Sequence, residues 1–180
     1  MLILALDLSK SSTGYAYGRP DEKPRSGSVQ FGTPQHTDAD VGAKAMKWLG
    51  QDVPVLLGGV PDLVAIEAAW EGHGGHSAHT SAVLLGLQFT MGAAALLLTK
   101  RQPEMIKVTD ARRTFTGRAG YAKGEAKPAV QRRCLDLGWL DLESLQADRA
   151  DALCVWAHIA ARSNPDLAFN PKRRPAPAGV

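Results

Sequence analysis

The chain is short of cysteine, of unbroken apolar runs and, over one long stretch, of positive charge. Cys134 and Cys154 are the only cysteines in 180 residues; nothing in their spacing suggests a disulfide framework or a thiolate metal cluster. Both lie in apolar, helix-like contexts, so they read as reduced core thiols of a cytoplasmic protein. The longest apolar run, Ala82 to Leu98, is interrupted by Gly86, Gln88, Thr90 and Gly92. That makes it marginal as a membrane span and points to a buried core helix. Met1 runs straight into a strand with no basic segment before it, so no signal peptide is expected. Between Gln51 and Thr99 there is no Lys or Arg, and no internal repeat is visible.

The length fits one domain with a sizeable core. Net charge is only +3, but it is unevenly spread. From Lys100 to Arg133 stand Lys100, Arg101, Lys107, Arg112, Arg113, Arg118, Lys123, Lys127, Arg132 and Arg133, against Glu104, Asp110 and Glu125. Such a stretch suits a phosphate-backbone partner; a solvated helical face is the plain alternative.

Leu2 to Leu8 reads as a mostly aliphatic strand, followed by a Ser-Lys-Ser-Ser-Thr-Gly turn. A second strand begins at Tyr15 to Tyr17, the stretch Arg19 to Ser26 forms a hairpin tip, and Gly27 to Gly32 returns as a third strand. Thr37 or Asp38 caps a helix through Val41, Ala45, Trp48 and Leu49, with a further turn beyond Pro54 ending at Gly58 and Gly59. Strand four, Leu63 to Ala68, has the continuous apolar character of a strand buried on both faces. The loop Trp70 to His76 leads into a long helix from about Ser77 to Lys100. A fifth strand is expected at Met105 to Val108, with helices at Thr109 to Phe115, Glu125 to Leu137 and Gln146 to Arg162. From Ser163 onward Asn, Pro and basic residues replace the apolar pattern, so residues 163–180 are expected to be a mobile basic tail on a domain of residues 1–162. The order predicts an α/β fold with a mixed five-stranded sheet, three antiparallel strands and then parallel ones, flanked by helices.

Four acids stand in apolar surroundings: Asp7 in MLILALDLS, Glu67 in DLVAIEAAW, and Asp148 with Asp151 in QADRADALCVWA. A buried carboxylate is costly unless something neutralises it. Asp7 and Glu67 fall at the carboxyl ends of the first and fourth strands, which sit side by side if those strands are adjacent and parallel. Asp148 and Asp151, three apart, share a helix face. Hard oxygen ligands of this kind suit magnesium or manganese. Each acid also has a local explanation: Asp148 and Asp151 as a helix cap, Glu67 as a strand end, Asp7 as an Asx-turn residue.

In LALDLSKSSTGYA, LVAIEAAW, KGEAKPAVQ and ADRADAL, which span residues 2 to about 160, the sequence resembles the RuvC-type Holliday junction resolvases. These are a branch of the RNase H-like nucleases, and the likeness is greatest to the shorter-motif versions of phages and prophages. The resemblance rests on the spacing from Asp7 to Thr13-Gly14 together with the Asp148-x-x-Asp151-Ala-Leu run. It implies an RNase H-like fold and a divalent-metal-dependent DNA endonuclease that resolves Holliday junctions or related branched DNA and leaves 5′ phosphates. Asp7, Glu67, Asp148 and Asp151 would bind two ions of Mg2+ or Mn2+, with Asp7 as bridge. Lys127 matches a basic residue near the scissile phosphate. Trp70 matches an aromatic presented to opened junction bases. The basic residues Lys107, Arg112, Arg113, Arg118, Lys123 and Lys127 are the DNA-binding candidates. A homodimer is implied, because two symmetric cuts need two sites.

The sequence also departs from the family. Leu8-Ser9 replaces the usual Pro-Gly after the first acid, so a differently shaped turn, with the Ser9 hydroxyl near the implied metals, is expected. In EGHGGHSAHT, His73, His76 and His79 have zinc-like spacing without further partners, and a loop contacting DNA is the expectation. Ala82, Gly86, Thr90 and Ala94 make an i, i+4 stripe of small residues, expected to pack on the sheet. Three alternatives stay open: a less selective nuclease of flaps, forks or RNA hybrids; a module that binds branched DNA without cutting; and, from the Asp-x-Ser-x-x-x-Thr-Gly turn, a phosphate loop like that of sugar kinases and actin-like ATPases, whose second loop is absent here.

Overall fold

The structure is a computed structural model that describes residues 1–69 and 78–164. Trp70, His73 and His76 of the expected loop, and the tail from residue 165, lie outside the described residues.

Five strands form one sheet in the order β3-β2-β1-β4-β5. The strands are β1 (Ile3–Asp7), β2 (Thr13–Gly18), β3 (Arg25–Val29), β4 (Leu63–Glu67) and β5 (Glu104–Ile106). β2 pairs antiparallel with β1 on one side and β3 on the other, whereas β4 runs parallel to β1 and β5 parallel to β4. The helices are α1 (Asp38–Lys47), α2 (Val53–Leu57), α3 (Ala78–Thr99), α4 (Val108–Thr116), α5 (Ala126–Asp136) and α6 (Ala147–Ser163). The mixed α/β architecture expected from the sequence is present.

Side-chain alternation along β1 and β4 divides the core in two. Ile3, Ala5 and Ala65 face α4, α5 and α6, together with Phe115, Val130 and Trp156. Leu4, Leu6, Val64 and Ile66 face the other way, with Phe31, Trp48, Leu87 and Met91 from the α1 and α3 layer. Strands buried on both faces need helices on both faces, and these supply them.

Several boundaries differ from expectation. β3 spans 25–29 rather than 27–32, because the Phe31 and Gly32 amides leave the sheet and donate to the Lys10 carbonyl at 3.2 and 2.9 Å. β5 pairs only over Glu104–Ile106, and Val108 already opens α4. A π-helical turn, Trp48–Asp52, joins α1 to α2 without a break. Pro54 has no amide to give the preceding turn, so the widened turn absorbs the missing bond.

The largest correction concerns α3. It was expected to be a buried core helix, yet only one face is buried, through Val83, Leu87, Met91, Ala94 and Ala95. Leu85, Phe89, Leu96 and Leu97 are exposed, Phe89 by 74%. Nor does the small-residue stripe lie on the sheet. Ala94 is buried and Thr90 lies near Gly42, but Ala82 and Gly86 are exposed. Each i to i+4 step turns about 40° around a helix, so the stripe rotates off one face.

Candidate functional site

The parity of the two central strands selects the first two acids. Asp7 follows Ile3 and Ala5 on the α6 face of β1, and Glu67 follows Leu63 and Ala65 on the same face of β4. The parallel register pairs Ala5 with Ala65 and Leu6 with Ile66, so Asp7 and Glu67 end neighbouring strands at the same level. α6 crosses this face and brings Asp151, only 6% exposed, and Asp148 in its first turn.

Gly14 is what lets α6 come so close. It pairs with Asp7 across β1 and β2, and a Cβ on it would stand 1.9 Å from the Asp148 carbonyl oxygen. No other residue fits there without moving the helix. Thr13 is fully buried and ties the turn: its Oγ1 donates to the Ser9 carbonyl at 2.6 Å and accepts the Ser9 amide at 2.9 Å. The Ser9 hydroxyl itself lies 3.4 Å from that of Ser11.

Asp148 does not serve as a helix cap. Gln146 occupies that position and makes no side-chain cap bond, while Asp148 stands inside the first turn, where negative charge suits the helix dipole. The reciprocal capping box is found instead on α1, between Thr37 and Asp40.

The acids feel one another. Burial raises the Asp7 carboxyl well above its usual range, and the negative charges of Glu67, Asp151 and Asp148 raise it further, with Lys127 opposing. Glu67 is pushed up to about 7, first by burial and then by Asp151, against the pull of Arg112 and Lys127. Asp151 is raised by burial, with Lys127 and Arg112 countering. Lys127 Nζ lies 3.6 Å from Asp151 Oδ2. Lys127 and Arg112 offset the burial and mutual repulsion only in part, so Asp7, Glu67 and Asp151 all remain raised.

Among the described residues, no group of three or more His, Cys, Asp or Glu side chains is gathered tightly enough to enclose a cation. The donor chemistry still fits a hard, hydrated ion: the groups are all carboxylates, and magnesium keeps several waters while using one or two protein ligands. Closed cages of His and Cys belong to zinc. His79 lies in the first turn of α3, exposed, outside any such group.

The basic candidates divide. Arg112, on α4, reaches the acids electrostatically, and its Nε is buried without a hydrogen-bond partner. Arg113 is paired with Asp110 at 3.3 Å, and Arg118 lies over the Tyr121 ring at 5.2 Å. Lys107 and Lys123 are exposed. Thus Lys127 and Arg112 act on the acids, and the others stand at the start of α4, on α4 and in the α4–α5 connection.

Two positioning residues were not singled out from sequence. The Arg149 guanidinium donates to the Ser26 carbonyl and the Ser144 carbonyl, both at 3.0 Å, fastening edge strand β3 and the preceding loop to the first turn of α6. Gln88 Oε1 accepts the Ala69 amide at 2.7 Å, holding the chain just beyond Glu67. A polar residue inside an apolar run was the one available signal for Gln88.

No family model matches the chain, and no curated protein matches it in sequence. Solved structures do match in shape. The structure of Thermus thermophilus RuvC superposes with a TM-score of 0.66 at 15% identity, over 91% of this chain and 96% of that one. T. thermophilus RuvC in complex with Holliday junction substrate gives a TM-score of 0.63 at 18% identity, over 91% and 94%. At such identity the likeness speaks for the fold: the chain has a RuvC-like, RNase H-like architecture.

Proposed function

We propose that this chain is a divalent-metal-dependent endonuclease that resolves Holliday junctions or related branched DNA by phosphodiester hydrolysis. Four carboxyls from β1, β4 and α6 that interact with one another at the carboxyl edge of a RuvC-like sheet carry this reading. Asp7, Glu67, Asp148 and Asp151 would hold Mg2+ or Mn2+, two ions per site. Such ions would supply an activated water and stabilise the leaving 3′ oxygen, giving 5′ phosphate ends.

The protein groups have complementary tasks. Burial and mutual repulsion raise Asp7, Glu67 and Asp151, and a bound divalent ion would offset both. Lys127, within reach of Asp151, supplies a positive charge to offset the negative charge that develops on the phosphate in the transition state. Arg112 adds a second cation from α4, and the exposed lysines and arginines beyond it bind the DNA backbone. A module that binds without cutting gains nothing from an acid cluster that repels phosphate.

Cutting two strands symmetrically requires two chains. The exposed apolar face of α3, with Leu85, Phe89, Leu96 and Leu97, is the surface we assign to a homodimer.

A synthetic four-way junction incubated with Mg2+ or Mn2+ tests the proposal, with flaps, forks and RNA hybrids alongside to measure selectivity. Wild type should cut the junction and leave 5′ phosphates, and Asp7→Asn should lower the rate by about a thousandfold. Absence of metal-dependent cleavage of every branched substrate, or undiminished cleavage by Asp7→Asn, contradicts it.

A further inference from the structure

The edge of the sheet opposite the acids carries a cleft of about 450 Å3. Strand register gathers several segments there. Ile3, where β1 starts, faces Gly18 at the end of β2 and Leu63 at the start of β4, and Tyr17 faces Arg25 at the start of β3. The cleft lies between the β2–β3 connection and the chain that leads from α2 to β4. β1 is five residues long, so at about 3.3 Å per residue the two edges stand about 17 Å apart.

One wall is cationic. Arg19, Lys23 and Arg25 line the cleft, and among the described residues none of the three forms an ion pair or a side-chain hydrogen bond. Two acids share the lining, and neither pairs with them. Asp62 is turned to β1, its Oδ2 accepting the Leu2 amide at 2.6 Å, and Glu22 is exposed. The other wall is apolar, with Leu56 39% exposed and Val60 50%.

Both walls are anchored. The Gly18 carbonyl accepts the Trp156 indole N–H at 3.4 Å, and Pro24 is buried, which pins the β2–β3 connection at both ends. Gly58 ends α2 in the left-handed conformation, and the Gly58 and Gly59 amides donate to the Val55 and Pro54 carbonyls at 3.3 and 2.9 Å. A cleft with fixed walls loses little freedom when a ligand enters.

Unpaired cations beside exposed leucine and valine call for a ligand that is anionic and apolar at once. A nucleic-acid backbone uses the cations but not the apolar wall, and Asp62 and Glu22 repel it. A peptide with acidic and apolar side chains uses both walls. The tail of this chain lacks that chemistry, since Lys172, Arg173 and Arg174 outnumber its single acid, Asp166.

We propose that this cleft docks an acidic peptide segment of a partner protein, with an apolar side chain against Leu56 and Val60 and carboxylates on Arg19, Lys23 and Arg25. The cleft opens at the edge away from Asp7 and Glu67, so a partner held there recruits the chain and leaves the acid site open. The docking site does not depend on the nuclease reading.

In the test, fluorescence anisotropy follows a labelled Asp-Glu-Asp-Leu-Phe-Asp-Glu peptide as it binds the full chain. One twin peptide carries Asn and Gln for the acids, and another carries Ala for Leu-Phe. The parent peptide should bind about tenfold more tightly than either twin. Arg19→Glu and Val60→Asp, both at exposed sites, should each weaken it by about tenfold, with circular dichroism and four-way-junction binding as in wild type. An Ala twin that binds as well as the parent shows a bare anion site and overturns the proposal. Loss of junction binding in Arg19→Glu overturns it too, because the cations are then a DNA contact, and so does the absence of binding at millimolar peptide. Peptide binding by a wild type that never cuts DNA leaves the docking site standing and removes the nuclease. Cleavage without peptide binding does the reverse.

Discussion

The two longest helices are both apolar, and the molecule uses them in opposite ways. α6 is buried almost throughout, from Ala150 to Ala157 without an exposed residue, and its first turn presses on β2 at Gly14. α3 is longer, yet seats only one face on α1 and β4 and leaves Phe89 and Leu97 in the open. Dense packing on one side of the sheet fixes carboxylates where their repulsion cannot relax by moving apart. Loose coverage on the other side leaves apolar surface that a second chain can cover. One helix thus holds the charged groups rigidly, and the other presents the face proposed for a second chain.

The contrast breaks most sharply at Gly14. Replacing it with Ala should destabilise the fold by about 3 kcal/mol or more, seen as a lower urea midpoint, because the new Cβ meets the Asp148 carbonyl. A midpoint like that of wild type means that α6 is not held as described. Next in size, Phe89→Asp should weaken the proposed dimer by about 2 kcal/mol, roughly thirtyfold in dissociation constant, with the circular dichroism of the monomer intact. Sedimentation measures it, and an unaltered association constant removes α3 from the interface.

A smaller effect sharpens the charged side. Glu67 titrates near 7 in the folded chain against an ordinary value of 4.5, so between those values the folded state holds more protons than the unfolded. Stability without metal should therefore fall as pH rises through this window, by several degrees in Tm. Asp7 and Asp151 shift the same way. The hydrogen-bonded Asp40 and Asp141 are shifted down and act only at more acid pH. Glu67→Gln should flatten the slope; an unchanged slope in scanning calorimetry contradicts the raised carboxyl.

The sheet and the acid site were legible because both follow short-range rules. Alternation in LALD and VAIE places Asp7 and Glu67 on one face, and three-residue spacing places Asp148 and Asp151 on another that meets it. What was not legible depends on tertiary geometry. Nothing local tells that Gly14 faces the Asp148 carbonyl rather than merely shaping a turn, or that Arg149 latches β3 from more than a hundred residues away. Likewise, an i, i+4 stripe on α3 looked like one face until the helix's rotation carried Ala82 and Gly86 into the open. Asp148 looked like a cap because acids favour helix starts, but the start lies two residues earlier, at Gln146.

The central claim is that the four carboxylates act as one cation site. Titrating Mn2+ into the protein and following free Mn2+ by electron paramagnetic resonance tests it directly. Wild type should sequester Mn2+ and Asp7→Asn should lose most of that binding, whereas a wild type that leaves Mn2+ free, or an Asp7→Asn variant that binds it equally well, contradicts the account.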